Sequence, residues 1–458
     1  MNRAADADVR TTIAFLETQG VATSAQVQTA LGKSQPTVSR LMRSLAPQGV
    51  LALGRGRLAR YALGKPILGS VFAQQPIWIV DEHGGVSRWG TLSFLASHQV
   101  HVQHASAEWL SRDALPWFLS PLRHEGFLGR MWARTTHLAE RLGDDPQRWT
   151  TEQHLYATLA RIHDTPGALL IGDTNEFNPS AAAFSDAQRA LEYDAIADAV
   201  MEHQLLPGNS SAGGEQAKFL RSRPLDADKP KNWKSDWESL LVKFTPPRGT
   251  PFGERWHDLL HAEALALRTL GHAGEPVAEV RILESRRRTY LESVRFDRVG
   301  RHGRRHVVPL QAIHEAFVGD LTMRGWTNTC DALVAQRRLS ESDAARVRLW
   351  QAFGQLIGNN DMHSRNLSFV AEDIVGGRFA LAPCYDMLPM RYRPEVQRND
   401  MGLTPLRFER PANIDTQLFS AASALAQRFW RMVAAHASCS TAFRAVAKEN
   451  AARIANLG

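Results

Sequence analysis

The sequence predicts an α+β chain built from several folding units, and three of its features lead there. The first 65 residues put helical periodicity, a glycine turn and a basic hairpin into one short stretch. Residues 76–104 and 239–247 hold short apolar runs with the partial alternation of half-buried strands. Residues 107–206 and 254–271 instead carry the spacing and punctuation of helices. The length of 458 residues exceeds one simple core, and about 100 to 200 residues per domain gives roughly three units. The expected division is 1–65, 66–300 and 301–458. With 44% apolar and 22% charged residues the composition is that of an ordinary soluble protein. No apolar run nears the roughly 18 residues that cross a bilayer, so no membrane is expected among the partners. The start MNRAADADVR lacks the apolar core of a secretory signal, and Cys330, Cys384 and Cys439 are scattered and odd in number. A cytoplasmic, reducing compartment is expected. The net charge of +7 favours polyanionic partners such as nucleic acid or nucleotide.

In the first unit, Val9, Ile13, Phe15 and Leu16 have the spacing of one helix face within 9–19, and Gly20 ends the helix. Thr23 or Ser24 caps a second helix over 25–31, Gly32 supplies a tight turn, and Ser34 or Gln35 ahead of Pro36 opens a third over 36–45. Val38, Leu41, Met42 and Leu45 then face the core. That leaves Gln35, Thr37, Ser39, Arg40 and Arg43 outward, with side chains that reach base edges and phosphates. LALGRGRLARYAL reads as two strands joined at a basic tip, where Arg55 and Arg57, with Arg60 beyond them, suit backbone or minor-groove contact. Residues 8–63 resemble the winged helix-turn-helix domains of bacterial transcription regulators. The resemblance implies that residues 1–65 bind double-stranded DNA, with a homodimer on the DNA as the arrangement to look for. A small helical domain with a solvated basic face is the plainer alternative.

The middle of the chain opens with a small β-rich unit over 76–104. Its three histidines carry no metal site: in a strand, His98 and His104 point one way and His101 the other. Residues 205–220 gather Gly208, Gly213 and Gly214 around Ser210 and Ser211, just before an apolar stretch with Lys218. Such a loop can bring backbone N–H groups to a phosphate, although taken alone a plain hairpin turn is the first reading of it. It is not a Walker loop, since no Gly-Lys-Ser/Thr follows. The strand-like run 239–247 carries one lysine, Lys243, in its middle. In the following helix, His257-Asp258-Leu259-Leu260-His261 imitates a zinc-hydrolase motif, but Asp258 stands where the general-base glutamate is needed. Glu263 on that helix is the residue placed to orient the lysine through an ion pair.

The most informative stretch is 355–370. It spaces Asp361 and Asn366 five apart, as catalytic loops that hold a hydroxyl and a metal ion do. Twenty residues later, Asp386 follows an apolar strand-like run, where a carboxylate is costly unless a cation compensates it. Phosphoryl transfer asks for little more: a positioned nucleophile, Mg²⁺ on the phosphates and a lysine beside them.

GNNDMHSRNLSF and LAPCYDML closely resemble the catalytic and metal-binding motifs of the HipA family of toxin kinases. SSAGGEQAKF, VKF and VRFDR resemble its Gly-rich loop, lysine strand and hinge. The resemblance covers roughly residues 70–450, and a fused helix-turn-helix is similar to the YjjJ-like subgroup. It implies a HipA-like, protein-kinase-like fold with a small β-rich N-subdomain and a larger helical C-subdomain. It makes Asp361 the catalytic base, Asn366 and Asp386 the Mg²⁺ ligands, and Lys243 a contact to the ATP phosphates. Ala212, Gly213, Gly214, Glu215, Gln216, Ala217 and Lys218 would line the loop over the nucleotide. Val294, Arg295, Phe296, His363, Ser364, Arg365 and Tyr385 would surround the rest. Ser211, with Ser210 beside it, stands where the family carries an autophosphorylated serine. Val294 stands where the family often has Glu, so only backbone contacts to adenine are expected there. The Gln of the loop is shifted by one place, which leaves the role of Gln216 open. The family implies a Ser/Thr kinase toxin of a type II toxin–antitoxin-like system, with a protein substrate such as an aminoacyl-tRNA synthetase. The alternative of another class is a transcription regulator whose kinase-like part only binds a nucleotide.

Overall fold

The structure, a computed structural model, describes residues 3–54, 59–135, 139–160, 164–173, 185–204, 216–224, 237–394, 403–410 and 415–457. Its contacts divide the chain into two compact units. One holds residues 1–80, 85–124 and 136–177, and the other holds 81–84, 125–135 and 178–458.

The first unit begins with helix α1 (Arg3–Gln19), strand β1 (Val21–Thr23), α2 (Ser24–Leu31) and α3 (Gln35–Ser44), followed by β2 (Val50–Leu53) and β3 (Arg60–Leu63). α1 starts six residues before the expected Val9, because Arg3 to Asp8 is rich in alanine, the best helix former. Thr23 caps α2 in a capping box: its Oγ1 accepts the Gln26 N–H while Gln26 Oε1 accepts the Thr23 N–H. Gly32 closes α2 at φ 62°, a left-handed conformation that favours glycine. Leu16, Val27, Val38, Met42, Leu45 and Val50 form the core of this part, while Leu41 is only half-buried. β3 lies between β1 and β2 in an antiparallel sheet.

Five antiparallel strands follow: β4 (Gln74–Val80), β5 (Val86–Leu95), β6 (Gln99–His104), β7 (Glu108–Arg112) and β8 (Leu169–Ile171), in the order β7-β6-β5-β4-β8. β7 and β8 fall inside the stretch expected to be mainly helical. Both are short, and β8 owes its state to pairing with β4 rather than to its own pattern. His98 lies outside β6, in a turn at φ 53°, and His101 is buried against Glu108. The boundary expected at residue 65 lies within a hydrogen-bonded stretch: Lys65 N–H donates to Phe94 O at 2.9 Å, and Leu53, Ala62 and Leu95 share one small core.

Helix α4 (Thr151–Leu159) completes this unit with a buried histidine pair. His154 Nδ1 accepts the His124 N–H at 3.2 Å, and the two rings stack 6.1 Å apart beside Trp149. Burial lowers the His124 imidazole to about 4; burial, with Arg123 and His124 nearby, lowers His154 to about 3. Both folded values lie below the ordinary value of about 6.5, so below that pH the unfolded chain binds more protons. Stability therefore falls as pH drops from 6.5 towards 4, at about 1.4 kcal/mol per pH unit for each imidazole. Thermal melts of the full chain across this range will show the decline, and His154→Gln, which keeps an acceptor for the His124 N–H, will show a shallower one.

The second unit joins α5 (Asp186–Gln204) to a four-stranded antiparallel sheet of β9 (Lys218–Pro224), β10 (Trp237–Phe244), β11 (Val280–Glu284) and β12 (Thr289–Val294), ordered β11-β12-β10-β9. Tyr193, Phe219, Leu240, Val242, Phe244 and Tyr290 pack between them. Helix α6 (Pro251–His272), capped by Thr250, runs between β10 and β11 in sequence and is buried on most of its circumference. The rest of the unit comprises β13 (Val307–Pro309), α7 (Glu341–Ile357), β14 (Ser368–Asp373), β15 (Arg378–Leu381), α8 (Thr416–Ala435) and α9 (Thr441–Ala455), with shorter helices between. β13, β14 and β15 form a small antiparallel sheet that frames the loop after α7.

Candidate functional site

Three elements distant in sequence bring charged atoms together. Lys243 lies near the end of β10, opposite Lys218 of β9 and Leu291 of β12. Its Nζ donates to both oxygens of Glu263, at 2.6 and 2.7 Å, and also to Asp386 Oδ1. Glu263 arrives from the middle of α6, and Asp386 from the segment after β15. That segment is pinned because Cys384 N–H donates to Pro276 O and Cys384 O accepts the Ala278 N–H, both at 2.9 Å. Asp386 has φ 54°, a left-handed conformation that costs an L residue about 1 to 2 kcal/mol.

Lys243 and Glu263 are buried, while 27% of the Asp386 side chain is exposed. Burial on its own would lower the Lys243 ammonium, but Asp386 and Glu263 outweigh it and hold it above its ordinary value. Burial raises the Glu263 carboxyl, and the Asp386 charge pushes the same way against Lys243. At Asp386 burial is outweighed by Lys243 and Lys218, and the carboxyl stays below the usual range. Two carboxylates thus converge on one lysine, with the partly exposed one facing outward to any further cation.

The loop after α7 is built on side-chain hydrogen bonds. Gly358 ends the helix at φ 79°. Asn359, 5% exposed, accepts the Asp361 N–H on Oδ1 at 3.0 Å, and its Nδ2 reaches Asp386 O at 3.5 Å. Asn366 Nδ2 donates to Asp361 O at 2.9 Å, a bond that does not use its amide oxygen. Trp326 Nε1 holds His363 O, and Gln311 N–H holds Ser364 O, each at 3.0 Å. Tyr385 donates to Arg365 O at 3.0 Å, lies 2.7 Å from Ser368 Oγ, and packs on Phe296 at 5.5 Å. Arg365 itself reaches Glu125 at 2.9 Å. The Asp361 side chain is 44% exposed, with Oδ1 3.8 Å from His363 Nε2.

Ala217 O accepts the Phe244 N–H at 3.1 Å, which ties the end of the Gly-rich segment to the lysine strand beside Gln216. Ser210, Ser211, Ala212, Gly213, Gly214 and Glu215 lie outside the described residues. The Val294 and Arg295 N–H groups are committed to Glu279 O and Ser239 O, and the Arg295 guanidinium to Asp297. In the first unit, Gln35, Arg40 and Arg43 are exposed on α3, and Thr37 and Ser39 are half-buried. Arg55 and Arg57 lie outside the described residues. Arg60 pairs with Glu108 of β7, which sheet packing brings beside it, and its side chain is 29% exposed. Asn359 escaped the sequence reading; a second asparagine directly before an aspartate was its only signal.

The chain belongs to the HipA-like toxin family, in its YjjJ-like branch. The family model of the HipA-like C-terminal domain matches residues 210–455, and that of the YjjJ-like toxin middle domain matches residues 71–177. The chain is 33% identical over 442 residues to Toxin YjjJ of Escherichia coli (strain K12), covering 94% of each protein. Among solved structures it is similar to Shewanella oneidensis MR-1 HipA, crystallised with HipB and its operator DNA: 16% identity, 83% of this chain, 95% of that one, TM-score 0.47. It is also similar to the Helicobacter pylori proinflammatory kinase CtkA, with 12% identity, 48% and 87% coverage and a TM-score of 0.32.

Asn359→Ala removes the acceptor of the Asp361 N–H and the link to Asp386. Hydrogen exchange will show the Asp361 amide exchanging faster while amides in the middle of α7 stay protected, with a loss of about 1 to 3 kcal/mol in chemical denaturation.

Proposed function

We propose that the chain is an ATP- and Mg²⁺-dependent Ser/Thr protein kinase that acts as a growth-arresting toxin. One observation carries the reading: Lys243 is held between Glu263 and Asp386, and Asn359 ties the Asp361–Asn366 loop to that same aspartate. The donor set fits a hard divalent ion, with a partly exposed carboxylate from Asp386 and an amide oxygen from Asn366. When bound, Mg²⁺ neutralises charge on the phosphates. Lys243 then contacts the phosphates, with Glu263 fixing its direction. Asp361 orients the acceptor hydroxyl and takes its proton as the new oxygen–phosphorus bond forms and the bond to the departing ADP breaks.

The substrate class is a protein of the translation machinery such as an aminoacyl-tRNA synthetase, in keeping with the family resemblance. Ser211 or Ser210 is the autophosphorylation site of this reading; a phosphate there adds about −1.5 to −2 charge to a loop meant for phosphates and switches the enzyme off. Residues 1–65 act as a winged helix-turn-helix on duplex DNA, bound as a homodimer, and the setting is the cytoplasm. No helix among the described residues is long and apolar enough to cross a membrane.

Asp361→Ala will lower phosphotransfer by about 10² to 10⁴ while ATP binding stays nearly intact. Asp386→Ala will also lose metal-dependent nucleotide binding. Both will abolish growth arrest on overproduction; arrest by Asp361→Ala equal to wild type at equal protein level would favour the nucleotide-binding regulator instead.

DNA binding by the full chain will weaken steeply with salt, and replacing Arg40 and Arg43 by alanine will each reduce the slope of log K against log salt by about 0.9 per bound subunit. Gln35→Ala or Thr37→Ala will instead alter preference among sequences. Gel-shift titrations at several salt concentrations measure both effects.

A further inference from the structure

A second cluster of ligand-bearing side chains lies on α6, and phosphate transfer makes no use of it. His257 and His261 stand one helical turn apart on a shared face, with ring centroids 4.6 Å apart. Glu284, the last residue of β11, places Oε1 3.1 Å from His261 Nε2. One ligand atom from each of the three residues lies within 4.8 Å of the others. Ligands at about 2.0 to 2.2 Å from a tetrahedral ion stand about 3.3 to 3.6 Å apart, so small rotamer changes close the set.

His436, at the end of α8, lies 4.9 Å ring to ring from His261, and its buried Nδ1 has no hydrogen-bond partner among the described residues. A cleft of about 550 Å³ lined by His261, Arg268, His272 and His436 gives an ion its way in. His257 Nδ1 meets the buried Thr289 hydroxyl, the kind of outer partner that holds a metal-bound imidazole in place. Without an ion, His257 Nε2–H donates to Ser438 O at 2.7 Å. On binding, the ion takes the Nε2 position and the proton moves to Nδ1, facing Thr289 Oγ1. Arg248 now supplies the positive charge, with Nη1 3.1 Å from Glu284 Oε2 and Nη2 3.3 Å from His257 Nε2. Its side chain is 33% exposed, with Nε also 3.9 Å from Glu254 Oε1, a partner on the solvent side that can keep the charge once the ion is bound.

We propose that His257, His261 and Glu284 form a structural Zn²⁺ site that staples α6 to β11, with His436 at the end of α8 turning in as the fourth ligand and Arg248 as the group the ion displaces. The site is not hydrolytic. Asp258, in the place of a general base, is taken by Ser440, whose N–H and Oγ–H donate to its two oxygens at 2.6 Å each.

The test uses the full chain, stripped with a chelator and titrated with Zn²⁺ by calorimetry, with bound metal counted by elemental analysis. The expected result is about one Zn²⁺ per chain, and a tetrahedral visible spectrum with Co²⁺. Glu284→Gln and His261→Ala will lose that equivalent. Thr289→Val will weaken binding by about 10- to 100-fold, and Arg248→Ala will tighten it several-fold by removing the competing cation. The last two variants leave every ligand in place, so they decide the matter if His261→Ala fails to fold. Less than one equivalent in the wild type, or affinity unchanged in both Thr289→Val and Arg248→Ala, overturns the site. Because none of these readings involves ATP, failure here is distinct from failure of the kinase reading.

Discussion

Everything in the second unit is arranged around one ammonium group kept out of water. A buried charge costs several kcal/mol unless its partners are fixed at hydrogen-bonding distance. Lys243 meets that condition only when β10, α6 and the segment after β15 are all in place, since its partners Glu263 and Asp386 lie 20 and 143 residues away. The sheet fixes the lysine, the capped and buried α6 fixes the glutamate, and the Pro276–Cys384 and Ala278–Cys384 bonds fix the aspartate. The left-handed backbone at Asp386 is the strain that this convergence tolerates. Two carboxylates meet one ammonium here, and Lys218 across the sheet counters the remaining negative charge.

A good share of the site is legible in the sequence because its chemistry demands rare residues in particular settings. A lysine in an apolar strand, a glutamate inside a buried helix and an aspartate after an apolar run are each costly, and such costs mark them out. The structure brings Lys243, Glu263 and Asp386 together within hydrogen-bonding distance. Asn359 is not legible in the same way, since an asparagine before a loop is ordinary and its value comes from which backbone groups it meets in three dimensions.

The fold follows the same division. The N-terminal helices and hairpin announce themselves through caps, Gly32 and periodicity, all of which act within a few residues. β8 does not, because it takes its state from β4 far along the chain, while β7 is a short strand paired with β6 just before it. Arg60 belongs to this class: as a sequence letter it is one more basic residue, and only the approach of β7 turns it into the partner of Glu108. Long-range partners, which a local pattern does not encode, account for β8 and for Arg60.

Helix α6 presents a different side chain to a different neighbour at almost every step. His257 meets Thr289 and Ser438, Asp258 meets Ser440, His261 meets Glu284, and Glu263 meets Lys243. Each residue advances the helix by about 100°, so inserting or deleting one amino acid upstream of His257 would swing all four out of register together. A change of length ahead of His257 therefore breaks the ties of α6 to β10, β11, β12 and the segment after α8 together.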